Sequence, residues 1–323
     1  MRQLLSGPAV DDPAAVRRLG RAALEQFGVR ARRVDPVAQS HNSVFRVRSD
    51  EGDFALRVGP AFRAHPIDAA HAEAELTAEL ADAGIPVPRV RRTLDGPPAA
   101  LLRADDVAGE RECMLLTWTP GRPIARPASD RNVERLGVLS ARLHAVARPR
   151  SEHPRGAFDG RRAVLIAGDD LLDLAPRELQ HVFADAHDRA QAAIDSLWTR
   201  DGIRPALLHN DLTVSNVLLR GDELLPIDFQ DASWVHVEQD LAITLYGFTG
   251  GVVPSPDLLA RFRRAYETVR PWPALDDELL RLLLVARRLT MVSLALHLNR
   301  PGVDGYLEQQ ATGIRTLLDQ PAG

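Results

Sequence analysis

Four residues in one short stretch have the types and spacing to do chemistry. Within Leu207–Ala242, His209, Asp211 and Asn216 follow the pattern H-x-D-x-x-x-x-N, and Asp228 comes later in an Ile-Asp-Phe triplet. This layout sets one carboxylate, Asp211, where a substrate hydroxyl can give up its proton. It leaves an amide, Asn216, and a second carboxylate, Asp228, to hold Mg²⁺ on a nucleotide. Shared metal ligation requires those two to lie close together. The runs VLLR and LLPID flank the turn dipeptide Gly221-Asp222, and a hairpin there would bring Asn216 and Asp228 together. The plain alternative is a surface turn before an ordinary hairpin, which would need several elements to coincide in order and spacing.

The elements that must position these groups lie on both sides of them. Asp12–Gly28 has helical apolar spacing, with Val16, Leu19, Ala23, Leu24 and Phe27 as the inward face. Ser43–Arg48 and Phe54–Val58 have strand character and are separated by the turn-rich Ser49–Asp53. HAEAELTAELADAG reads as a helix ending before Gly84. Met114–Trp118 is an apolar run ending at Thr119-Pro120-Gly121, a natural joint. Beyond it, helices are expected from Ser129 to Ala147 and over Glu178–Trp198, Asp257–Val269, Asp276–Leu298 and Val303–Leu318, with Pro149–Gly168 as a loop.

Together with GIPVPRV, LTWTPGRP, PIDFQD and VEQDLA, the LLHNDLTVSN stretch resembles the aminoglycoside phosphotransferase and choline kinase family of small-molecule kinases. The likeness extends over nearly the whole chain, nearest to type II homoserine kinases and RdoA-like stress-response kinases. It implies a bilobal α+β fold like that of protein kinases: a small antiparallel-sheet lobe over 1–117 that binds nucleotide, and a larger helical lobe over 118–323 for catalysis and substrate. It implies ATP, or GTP, with Mg²⁺, and a small-molecule hydroxyl as acceptor: an amino alcohol, an aminosugar or an antibiotic. Asp211 would be the catalytic carboxylate, supported by His209, and Asp240 would brace the loop. Adenine would be held by the backbone of Thr117 and Thr119. The family commonly reads His-Gly-Asp where this chain reads His209-Asn210-Asp211, and Asn tolerates unusual backbone angles better than most non-glycine residues.

Two further departures bear on nucleotide binding. Every one of the 40 basic residues is Arg, so the Lys that such kinases place on their third strand is missing. Arg57, in FALRV, stands in its place and shares a strand face with Ala55, opposite Leu56 and Val58. Glu73 is the partner expected to orient it, with Glu75 as the alternative. The loop that would cover the phosphates, Gln39-Ser40-His41-Asn42-Ser43, has no glycine, although backbone N–H groups and hydroxyls there can still meet phosphate oxygens. A protein Ser/Thr kinase is one rival reading, against which no activation segment follows Ile-Asp-Phe. A nucleotide-binding protein without turnover is the other, favoured by the missing Lys and opposed by the intact Asp211, Asn216 and Asp228.

Composition narrows the rest. At 323 residues and 45% hydrophobic content the chain can fill two lobes, and a net charge of −4 gives no support to nucleic acid or anionic membrane as partner. The single Cys113 rules out an internal disulfide framework and reads as a buried hydrophobe. No apolar run reaches membrane-spanning length and no signal-peptide core is present, so a cytoplasmic location is expected. No motif bears on oligomeric state. His144 reads as a structural hydrogen-bonding group. Of Arg287 and Arg288, about 100° apart on a helix, at most one can face the cleft to recruit an anionic substrate group. Trp234, His236, Tyr246 and Phe248 are candidates either for a substrate pocket or for the core.

Overall fold

A side-chain cap starts the first helix, α1 (Pro13–Gln26): Asp12 accepts from the backbone N–H of Ala14, and Pro13 fits the first turn. In the computed structural model, which describes residues 12–39, 41–124, 128–166, 170–202, 204–249, 251–299 and 301–319, the chain divides into two compact units. One lies within Met1–Arg63 and Val87–Pro120, the other within Ala64–Pro86 and Gly121–Gly323.

In the first unit α1 buries Val16, Leu19, Ala23 and Leu24, the face its spacing predicts, and Phe27 completes that face. The strands are β1 (Ala31–Gln39), β2 (Ser43–Ser49) and β3 (Gly52–Val58). The chain then passes into the second unit as helix α2 (Ala69–Asp82) and returns as β4 (Val90–Arg91), β5 (Ala100–Ala104) and β6 (Val107–Thr117). The sheet is antiparallel in the order β1-β2-β3-β6-β4, with β5 also on β6. Strand β1 was not legible in the sequence, because of its nine residues only Val34 is buried and Pro36 interrupts the pattern. Along β3 the alternation is clean: Phe54, Leu56 and Val58 are buried, while Ala55 and Arg57 lie half-buried on the other face. Gly20 lets α1 approach this sheet, since a Cβ there would stand 3.0 Å from Leu56.

The second unit begins with β7 (Arg122–Pro123) and α3 (Asp130–Val146), capped by Ser129, whose hydroxyl accepts from the backbone N–H of Asn132. There follow β8 (Phe158–Asp159), α4 (Leu171–Leu174), α5 (Arg177–Trp198) and β9 (Ala206–Leu208). The hairpin comes next as β10 (Val217–Arg220) and β11 (Glu223–Pro226), then β12 (Ser233–Val235) and α6 (Val237–Thr249). The last helices are α7 (Pro256–Glu267), α8 (Asp277–Leu298) and α9 (Val303–Leu318). Helix α8 is buried on all sides, as an all-round apolar helix must be, and takes Arg281, Arg287 and Arg288 inside with it. The segment read as a loop, in its described part, is pinned rather than free. Phe158 and Gly160 donate their backbone N–H groups to Ala232 and Trp234, and β8 runs parallel to β12.

Helix α2 belongs to the second unit, unlike in the simple division at 117/118 that the sequence suggests. The reason is specific pairing: Arg150 binds Glu75 at 2.7 Å and Glu79 at 2.5 Å, and Leu76 and Leu80 line one pocket with Leu143 and Leu208. Among the described residues no helix is long and apolar enough to cross a membrane.

Of the aromatic candidates after the hairpin, Trp234 and His236 are buried core residues, and Phe248 is half-buried. Trp234 and His236 pack edge-on against Trp198, and Phe248 packs against Phe262. His236 is 1% exposed and neither ring nitrogen has a hydrogen-bond partner. Burial, with the charge of Arg200 adding, pushes its pKa down to about 4. The native state therefore holds the ring neutral where the unfolded chain, with a pKa of about 6.5, takes up a proton. The stability this contributes is complete above pH ~6.5 and is lost as the pH falls towards 4. Urea unfolding at pH 7 and pH 5 should show a larger loss for the wild type than for His236→Phe. Equal losses would show that His236 does not set the acid sensitivity.

Candidate active site

The loop between β9 and β10 is built around a left-handed residue. Asn210 has φ 55°, a left-handed conformation that glycine adopts freely and that Asn and Asp tolerate best among the other residues. Its backbone N–H donates to Asp240 Oδ1 at 2.5 Å, and its side-chain amide donates to Ser233 Oγ at 2.8 Å. Asp240 in turn accepts or shares a proton with His144 Nε2 at 2.8 Å, and His144 Nδ1 meets the Tyr266 hydroxyl at 2.9 Å. Burial would raise the Asp240 pKa, but the hydrogen bond and charge of His144 hold it below the usual carboxylate range. The structural role expected for His144 is therefore the one it plays. Helix α6 comes so close to the loop that a Cβ at Gly247 would stand 2.7 Å from Thr213.

His209 faces inward. Its Nε2 lies 3.1 Å from the carbonyl of Ile227, its Nδ1 accepts the backbone N–H of Asp211 at 3.3 Å, and its ring packs on Phe229 at 4.4 Å. These contacts hold the loop against the Ile227–Phe229 segment that follows β11 and carries Asp228. The hairpin forms where the sequence places it, with Val217 opposite Pro226 and Gly221 at φ 59° in the turn. Arg131 and Arg135 on α3 anchor its tip through Asp222. The backbone N–H of Ile227 donates to the carbonyl of Asn216 at 2.9 Å, which sets Asn216 beside the start of the Ile-Asp-Phe triplet. Asp228 then takes φ 63°, a second left-handed non-glycine residue.

Asp211 is held by both oxygens. Asn216 Nδ2 donates to Oδ2 at 2.5 Å and to the Asp211 carbonyl at 2.9 Å, and Arg287 donates to Oδ1 at 2.6 Å. The Arg287 guanidinium also lies 3.8 Å from Asp231 Oδ2, and Asp231 Oδ1 is 2.8 Å from His65 Nε2. Burial raises the Asp211 pKa; Arg287 opposes this, while Asp231 and Asp228 add to it. For Asp231 burial is outweighed by the hydrogen bond and charge of His65 together with Arg287, and the pKa is lowered.

The sequence reading missed this use of Arg287, which it assigned to a substrate anion if to anything. It also missed Asp231, whose signal was present in PIDFQD three residues after Asp228. His65 gives no local signal.

In the first unit Arg57 donates to Met114 Sδ at 2.9 Å, from the strand opposite. Cys113 is buried and its thiol is pushed up to about 12 by that burial, as fits a core residue. Of the loop residues His41, Asn42 and Ser43, Asn42 is buried and Ser43 begins β2; Ser40 lies outside the described residues. Thr117 exchanges two bonds with Arg89, its N–H to the Arg89 carbonyl and its hydroxyl from the Arg89 N–H, both 2.9 Å. Trp118 donates its backbone N–H to Asp53, which fixes the approach to Thr119. In the second unit Glu73 is 1% exposed, while Glu75 and Glu79 are both engaged by Arg150.

The fold that carries this arrangement is similar to that of kinases of known structure. An amicoumacin kinase in complex with AMP-PNP, Ca²⁺ and Ami matches with a TM-score of 0.72 at 18% identity, over 94% of this chain and 93% of that one. A microcompartment-associated aminopropanol kinase matches at 0.69 and 18%, over 91% and 94%. A choline/ethanolamine kinase family protein from Mesorhizobium loti matches at 0.59 and 17%, over 90% and 89%. At such identities the likeness establishes the fold, an α+β kinase fold. The model of the phosphotransferase enzyme family matches residues 34–277, and the chain belongs to that family: it is a kinase. No curated protein matches it.

Asp240 is the residue on which the loop's course depends. Asp240→Asn turns an acceptor towards the Asn210 N–H into a poorer or mismatched one, inside a site that is 1% exposed. It should lower unfolding stability by about 3 kcal/mol, the scale of a buried charge-assisted pair broken from one side. A loss below about 1 kcal/mol in urea unfolding would contradict this role.

Proposed function

We propose that this kinase moves the γ-phosphoryl group of ATP to a hydroxyl of a small molecule, with Mg²⁺. The observation that carries this reading is the pair of bonds from Asn216 Nδ2 to Asp211, which fixes a carboxylate and an amide in one unit beside the Ile-Asp-Phe triplet that carries Asp228. Asp211 orients the acceptor hydroxyl and takes its proton as the phosphoryl group leaves. In a loose transition state little proton removal is needed before the bond to the leaving oxygen breaks, so a positioned carboxylate is sufficient.

The residues present fit a divalent cation. With its NH₂ group given to Asp211, Asn216 turns its amide oxygen the other way, and Asp228 adds a carboxylate. Among the described residues no cluster of three or more His, Cys, Asp or Glu could hold a metal alone. A pair of protein oxygens completed by phosphates and water is the Mg²⁺ manner of binding. When bound, the cation would screen charge on the phosphate oxygens. Arg57 would contact the α- and β-phosphates, its larger fork replacing a point charge, and Glu73 would orient it. Two observations favour Glu73 over Glu75: Glu73 is buried, and Arg150 already engages Glu75. The Ser40–Ser43 backbone would cover the phosphates, and Thr117 and Thr119 would hold adenine by main-chain groups. The names of the similar structures, kinases of amicoumacin and aminopropanol, support a small hydroxylated acceptor carrying an amine.

A thermal-shift titration with ATP and GTP, with and without Mg²⁺, tests this on wild type and Asp228→Asn. At a ligand concentration near a hundred times Kd, binding should add about 2.7 kcal/mol. The Mg²⁺-dependent part should vanish in Asp228→Asn. A shift that is equal with and without Mg²⁺, or unchanged in the variant, would remove Asp228 as a metal ligand. An ADP-release screen of amino alcohols, aminosugars and antibiotics would then identify the acceptor.

A further inference from the structure

Arg287 is 5% exposed in the middle of α8 and reaches Asp211 from 76 residues further along the chain. Its neighbour Arg288 points elsewhere, binding the carbonyl of Gly251 at 3.0 Å and Gln310 at 2.7 Å, and so belongs to helix packing. Arg287 instead joins two carboxylates: one nitrogen holds Asp211 Oδ1, another lies against Asp231 Oδ2, and Asp231 is itself tied to His65. A planar guanidinium that never loses its charge is suited to such a bridge, since it fixes direction as well as distance.

Arg287 Nε and Asn210 Oδ1 are buried without a hydrogen-bond partner, and both residues line one cavity with Gln239 and Thr290. The charged and titratable groups around the bridge are Asp211 and Asp231, then Tyr246 on α6 and Tyr306 on α9. Asp228 faces Asp211, and His209 faces Asp231. Without the guanidinium, the carboxylates of Asp211, Asp228 and Asp231 would confront one another.

We infer that Arg287 is a positioning residue: it aims the Asp211 carboxylate by fastening it to Asp231 and to α8, and acts on the reaction only through Asp211. The inference rests on the reading of Asp211 as the group that takes the acceptor's proton.

Phosphate release from Mg·ATP with water as acceptor needs no identified substrate, and the test uses five proteins: wild type, Arg287→Met, Arg287→Lys, Asp211→Asn and the double variant. Arg287→Met should lower kcat by about 10²-fold, the scale of a misplaced catalytic group, with KM for Mg·ATP changed less than about twofold. Arg287→Lys should recover part of the rate. In the Asp211→Asn background the Arg287→Met change should cost nothing further.

Equal fold-losses in both backgrounds would overturn the inference, as would a raised KM with unchanged kcat, which would make Arg287 a nucleotide contact. A wild-type rate in Asp211→Asn would instead remove Asp211 from its proposed role and the inference with it. Should Arg287→Met not fold, Asp231→Asn withdraws the other end of the bridge. It should lower kcat in the wild-type background only, and an unchanged kcat there would overturn the inference.

Discussion

The hydrogen bond from the backbone N–H of Asn210 to Asp240 holds the loop in the one course that presents Asp211. A left-handed non-glycine residue costs on the order of 1 kcal/mol, and so persists only where its surroundings over-determine it. Here they do: Asp240 is buried and locked by His144, His144 by Tyr266, and the Asn210 side chain by Ser233. Where the family commonly has glycine this chain has a residue whose side chain reaches into the core, exchanging conformational freedom for an added anchor.

From that turn the electrostatics follow. Asp211, Asp228 and Asp231 lie near one another, and a single buried guanidinium offsets part of their mutual repulsion. The excess of negative charge is what a divalent cation would answer by direct ligation, and the cation would in turn draw phosphate oxygens to it. The same excess accords with an acceptor that carries an amine.

Much of this was readable from local pattern. The hairpin was marked by Gly221-Asp222 between two apolar runs, and the half-buried face of Arg57 by simple alternation in FALRV. A helix start was legible where a Ser cap precedes an apolar period, at Ser129. What stayed hidden depends on partners distant in the chain. Nothing in LLLVARRLT says which arginine meets Asp211, and nothing around His65 points to Asp231. Helix α2 has the pattern of any amphipathic helix, and the pairing of Glu75 and Glu79 with Arg150, with Leu76 and Leu80 beside Leu143 and Leu208, reveals which unit it joins. Strand β1 escaped notice because an edge strand with one buried residue has no alternation to read.

The central claim is that Asn216 and Asp228 form one cation site beside the carboxylate of Asp211. Crystals grown with Mn²⁺ and a non-hydrolysable ATP analogue, measured at the manganese absorption edge, locate the cation directly. The account predicts an anomalous peak within about 2.0–2.3 Å of Asn216 Oδ1 and an Asp228 oxygen, close to the octahedral Mg²⁺ distance. A peak bound to Asp231 or Asp211 alone, or to phosphate with neither Asn216 nor Asp228 in reach, would contradict it.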